Sequence, residues 1–217
     1  MPTFENLQKV YDALELPEIP AQLLSHRKEQ MMAMIVNLLR VRPKLFLAQL
    51  EGLRATSGNK PRTLMVHAGD VEAAANLLAM AEPVQALVVA PELCSVARQQ
   101  QDNDLRLRLS NNVDSRSSLL LMESGSNVSK LQVARKRKPL VTSAFSLGDV
   151  KELVVDFVCR EDLAITAVKE FLEVFINSVK KEQLFHRELV SNNYNYMGLA
   201  LSFNGGSTIA TLRLILA

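Results

Sequence analysis

The last quarter of the chain, residues 163–217, constrains the fold more than any other stretch. Between residues 163 and 179 the apolar side chains Ala164, Val168, Phe171, Leu172, Phe175 and Val179 recur at i, i+4, i+7, i+8, i+11 and i+15. That spacing draws one continuous stripe down an α-helix. Two runs of strand-forming residues follow, 199–203 and 208–216, separated by Asn204-Gly205-Gly206. Asn and Gly accept the positive φ angles of a tight turn, so the two runs are expected to close as a β-hairpin. Between helix and hairpin stand Phe185-His186-Arg187-Glu188-Leu189 and Asn192-Asn193-Tyr194-Asn195-Tyr196-Met197-Gly198. The predicted unit is a buried helix, a His-Arg turn and a terminal hairpin.

Upstream, Phe4, Leu7, Val10, Tyr11 and Leu14 fall at helical spacing, and Pro17 and Pro20 end that helix. Residues 1–20 therefore read as an N-terminal helical extension, packed on its own domain or offered to a partner. Residues 22–53 read as helical, with Met31, Met34, Ile35, Leu38 and Leu39 on one side. Pro43 should break that region and restart it as a second helix over 45–53. The methionines at 31, 32 and 34 suit either an adaptable binding surface or a core filler. Asp70 is a good N-cap for a helix over 71–81. Strands are expected at 119–122, 152–158, 197–203 and 208–216.

Three blocks of this sequence, in order, resemble the CAP superfamily (cysteine-rich secretory proteins, antigen 5 and pathogenesis-related proteins, or SCP/TAPS). Residues 36–47, with Asn37, Arg40, Pro43 and Phe46, are similar to the family's opening helix, I-N-x-x-R-x-x-P-x-x-F-A. Residues 83–97 are similar to the block leading into its second main helix. His186-Arg187-Glu188 and the segment from Asn193-Tyr194 to Gly198 resemble its His-Arg turn and N-Y-x-x-x-G segment, although Phe185 stands where the family has Gly.

What the resemblance implies about a site is specific. CAP domains usually line one cleft with two histidines and two acidic residues, a set whose imidazoles and carboxylates suit a divalent metal. The histidines here are His26, His67 and His186. His186 matches the second family histidine, but residues 104–112, where the first belongs, contain none. Glu161 is matched to the strand acid, with Glu123 as the rival register, and Glu173 or Glu170 to the helix acid. The remnant cleft is then His186, Glu161 and Glu173, with no catalytic residue, cofactor or metal assigned. A structural reading of His186 stands beside this one, as a histidine capping a helix end where the dipole favours it.

Composition narrows the function classes. Hydrophobic residues make up 48% of 217, which suits a globular chain with a real core. A net charge of +2 and the absence of Trp argue against a nucleic-acid surface or a base-stacking platform. The basic run Arg135–Lys138 reads as a localisation or nucleic-acid patch, or as an exposed insertion loop. Cys94 reads as a buried small hydrophobe and Cys159 as a strand end, and two cysteines build no disulfide framework. The N-terminus has no signal-peptide pattern, and no apolar run is long enough for a membrane span. The chain is therefore expected to be cytoplasmic rather than secreted.

The fold expectation is α+β: a CAP-like α-β-α sandwich over residues 21–217, with a small, mostly antiparallel sheet and a divergent insertion at about 105–150. The functional expectation is a non-enzymatic intracellular protein that binds protein partners, as a scaffold or a component of a larger assembly. A cytoskeletal or flagellar assembly fits that role. Lipid or sterol binding, and a metal-dependent hydrolase using Glu161, Glu173 and His186, are the alternatives.

Overall fold

The computed structural model describes residues 4–24, 26–56, 68–118, 150–158, 167–181, 184–203 and 209–217. Along them run α1 (Phe4–Ala13), α2 (Arg27–Val41), α3 (Leu47–Thr56), α4 (Ala68–Met80), β1 (Val88–Val89) and α5 (Pro91–Ser118). Then come β2 (Lys151–Val158), α6 (Ala167–Lys180), α7 (Leu184–Leu189), β3 (Tyr196–Phe203) and β4 (Ile209–Leu216). Short 3-10 turns occupy Ala21–Leu23 and Pro43–Phe46.

Four strands form one sheet in the order β1-β3-β4-β2. β3 pairs antiparallel with β4, and β4 antiparallel with β2, while β1 adds to β3 in parallel with Val88 opposite Tyr196. The mixed α+β class and the terminal hairpin pairing are thus as expected. The strands foreseen at 152–158, 197–203 and 208–216 are Lys151–Val158, Tyr196–Phe203 and Ile209–Leu216. β1 was not foreseen, because two residues are too few to show a period.

Side-chain alternation along the strands separates two packing surfaces. Gly198, Ala200 and Ser202 of β3, with Thr211, Arg213 and Ile215 of β4, look toward α5. Met197, Leu199 and Leu201, with Ala210, Leu212, Leu214 and Leu216, join the large core built with α2 and α6. Helices therefore lie on both faces of the sheet. Gly198 lets α5 approach β3 closely: a Cβ there would sit 2.1 Å from the carbonyl carbon of Leu93 and 2.5 Å from the nitrogen of Cys94.

α2 is buried on every side rather than along one stripe. From Lys28 to Arg40 only Gln30 keeps partial exposure. Its methionines Met31, Met32 and Met34 all lie in the core. α1 packs on it through Leu7 and Tyr11, in the same core cluster. α1 ends where Glu15 takes a left-handed conformation, φ 50°, and Pro17 follows two residues on.

Two local expectations are corrected. α4 starts at Ala68, so Asp70 is not its N-cap; it lies in the first turn and accepts a bond from Lys180 Nζ at 2.8 Å. An acid there still complements the helix dipole. Pro43 does not restart an α-helix at residue 45; it opens the 3-10 turn, and α3 begins at Leu47. The expected strand at 119–122, the turn Asn204-Gly205-Gly206, the run Arg135–Lys138 and Cys159 lie outside the described residues.

Candidate functional site

The His-Arg segment is a short helix, α7, and not a turn. α7 folds back onto α6 because both carry large apolar side chains on the facing surfaces. The rings of Phe171 and Phe185 lie 6.0 Å apart, and the ring of Phe175 meets that of His186 edge-on at 6.3 Å. His186 is only 5% exposed. Its Nδ1 lies 3.1 Å from Ser178 Oγ, and its backbone N–H donates to the same oxygen at 3.1 Å. Burial pushes the imidazole below its ordinary range, and the neighbouring Arg187 adds to this; a bond to the backbone of Ser178 opposes it and loses. The ring does stand at a helix end, against Ser178 in the last turn of α6, but burial outweighs what the dipole could add to its charged form. The ring is held neutral, inside the core.

Of the acids matched to the cleft, the two that are described, Glu173 and Glu170, do not face the His186 ring. Glu173 is on α6, where Lys169 Nζ lies 3.7 Å from its Oε1. Glu173 is two residues from Phe175, about 200° around the helix. It therefore leaves α6 on the side away from the ring that meets His186. Glu170 is buried and faces Lys28 Nζ of α2 at 2.5 Å, a buried ion pair joining the two helices. Glu161 and its rival Glu123 lie outside the described residues, as does His67. Among the described residues no group of three His, Cys, Asp or Glu side chains is placed to hold a metal ion.

What the opening-helix block does is structural, and sequence reading missed how. Arg40 is fully buried. Its Nε donates to Gln85 O at 2.8 Å, and its Nη1 to Leu189 O and Ser191 O, each at 2.8 Å. Nη2 reaches Tyr194 O at 3.3 Å. One guanidinium fork thus pins the segment before β1, the carbonyl end of α7 and the segment before β3. Burial lowers it to about 10, so it stays ionised at neutral pH. Asn37, one turn earlier on the same face, grips Leu87 at both backbone groups, donating at 2.9 Å and accepting at 2.8 Å. It also donates to Tyr11 Oη at 2.8 Å, and the Tyr11 hydroxyl donates in turn to Pro17 O at 2.7 Å. Glu29, buried on the same helix, accepts the amide of Leu201 at 2.9 Å.

A second polar cluster holds α5 to the sheet. Gln101 donates to Ser202 Oγ at 2.5 Å and to Thr211 O at 2.7 Å. Arg213 of β4 is buried and binds Asp104 at 2.5 Å, Gln100 at 3.2 Å and Glu152. Thr211 Oγ1 donates to Asp156 at 2.5 Å. Glu152, Val154 and Asp156 lie opposite Ile215, Arg213 and Thr211, so all three share the α5 side of the sheet. Val154 is 45% exposed there. Cys94, in the first turn of α5, is buried against the sheet, and burial raises its thiol.

The pattern of an Asn and an Arg three residues apart inside an apolar run was the available signal for the clamp. No described helix is long and apolar enough to cross a membrane. Comparison with protein-family models, with curated proteins and with solved structures returned no match.

Proposed function

We propose that this chain is a non-enzymatic, intracellular, CAP-like protein that works by binding another protein, as a scaffold or a component of a larger assembly. The observation that carries this reading is the placement of His186. The imidazole matched to the family's cleft is turned into the core against Ser178 and Phe175 and kept neutral. Glu173 leaves α6 on the other side. With its ring against Ser178 and Phe175 and only 5% exposed, His186 is better suited to holding α7 on α6 than to acting on a ligand, which supports the non-enzymatic reading. Helices on both faces of the sheet suit the α-β-α arrangement that the resemblance implies. The conserving of backbone bonds by Asn37 and Arg40 gives a stiff support of the kind a binding surface needs.

The test is capture of the tagged full chain from its native cell, with metal measured on the eluate. A stoichiometric protein partner and no metal is the expected result. A chain that elutes alone with close to one equivalent of zinc overturns the proposal.

A further inference from the structure

α1 is joined to the rest of the chain by a strained turn. Glu15 N–H donates to Asp12 O at 3.0 Å and Leu16 N–H to Tyr11 O at 3.4 Å, closing the end of the helix. This pair of bonds puts the residue before the second donor in the left-handed region, which glycine usually supplies. Glu15 stands there instead, at φ 50°, with a Cβ that opposes it. Past the turn the chain belongs to the core again: Leu16, Ile19 and Leu23 pack against it and Leu24 is buried. Between Asn6 and Ala13 only Leu7 and Tyr11 are buried, and they rest on α2. Their seat cannot stand empty. α2 is buried on that side, and its Asn37 donates to the Tyr11 hydroxyl. Lifting α1 away would wet an apolar face and break a buried bond.

We propose that α1 is exchanged between two copies of this chain, each α1 seated on the other copy's α2 with Tyr11 against Asn37. The seat selects this occupant. A second copy brings Leu7 and Tyr11 at the same spacing, so the described contacts of α1 are re-made one for one. Pro17 O, which accepts the Tyr11 hydroxyl, lies on the core side of the turn and meets the incoming α1 in the same way. Only the turn changes: once it opens, Glu15 in both copies leaves the left-handed region. The tether favours the closed monomer through its effective concentration, while strain at two turns favours the dimer. Because the exchange is reciprocal, it closes as a two-fold pair and does not propagate. Exchange of α1 is independent of the protein-binding reading above, which needs no second copy.

Sedimentation of the full chain across a range of concentrations tests this, after refolding at high concentration so that α1 can exchange. The native chain should show both monomer and dimer. Glu15→Gly relieves the turn and should raise the dissociation constant of the dimer at least about tenfold. Glu15→Pro fixes φ at about −65°, which forbids the folded-back turn, so that variant should be dimeric throughout. Should it not fold, Glu15→Val serves: a β-branched residue resists the left-handed region, and its dimer should be tighter than the native one. In dimers mixed from isotope-labelled and unlabelled copies, filtered NMR should find the Tyr11 ring of one copy against the Asn37 side chain of the other. A native chain that is monomeric at every concentration overturns the proposal, as does a folded Glu15→Pro monomer. So does a Glu15→Gly dimer as tight as the native one, or a dimer whose Tyr11 and Asn37 meet only within one copy.

Discussion

Replacing Arg40 separates two accounts of a buried charge. Its side chain is fully buried and donates to four backbone carbonyls, those of Gln85, Leu189, Ser191 and Tyr194. If the charge itself is the dominant cost, Arg40→Met should be neutral or stabilising, as with some buried ion pairs exchanged for apolar side chains. If satisfying carbonyls dominates, Met leaves four acceptors dry. At about 1 kcal/mol for each unmade bond the loss is about 4 kcal/mol, out of a typical total of about 5–15 kcal/mol. Arg40→Lys keeps the charge but offers three donors from one point, not a planar fork. It should lose about 2 kcal/mol. Urea denaturation measures both, with the slope of the transition unchanged. A Met variant as stable as the native chain, or a Lys variant within about 0.5 kcal/mol of it, refutes the carbonyl-clamp reasoning.

Two further outcomes follow from the packing and the buried imidazole. Gly198→Ala drives a methyl into the backbone of Leu93 and Cys94, so α5 must lift from β3. The expected loss is about 3 kcal/mol, or about 10 °C in Tm by calorimetry. His186 is held below its ordinary value of 6.5, so the unfolded chain binds its proton first as pH falls. Its contribution is present above about 6.5 and is lost as pH drops through the lower folded value. His186→Asn should flatten that fall when Tm is followed from pH 7 to pH 4, and an unchanged profile would count against the burial argument.

The sequence was most informative where period and burial coincide. α6 shows its stripe because a strip of Lys169, Glu173 and Asn177 keeps partial exposure while the rest of the helix up to Ser178 is packed. The strands 152–158, 197–203 and 208–216 carry enough residues to reveal alternation and β-branching. α2 misled the reading, since burial on all sides erases a stripe and hides Lys28 and Glu29 among apolar neighbours. Asp70 misled it too, because one extra turn of α4 converts a cap into a first-turn acid. For the cleft, residue identity located His186 but not the direction of its ring. That direction is set by Ser178 and Phe175 on another helix, which no linear pattern encodes. Arg40 and Asn37 were visible as identities, while their carbonyl partners lie 45 to 154 residues away.

That separation has a consequence for synthesis. The bonds from Arg40 to Leu189 and Tyr194 span 149 and 154 residues. At about 5–20 residues per second, a ribosome needs roughly 8–30 s to supply the acceptors after the donor has been made. Throughout that interval α2 has α1 and, later, the segment around Gln85 and Leu87 to pack on, but the acceptors at Leu189 and Tyr194 and the apolar face of α6 do not yet exist. These bonds can close only late, and contacts of such high sequence separation slow folding and lengthen exposure to aggregation.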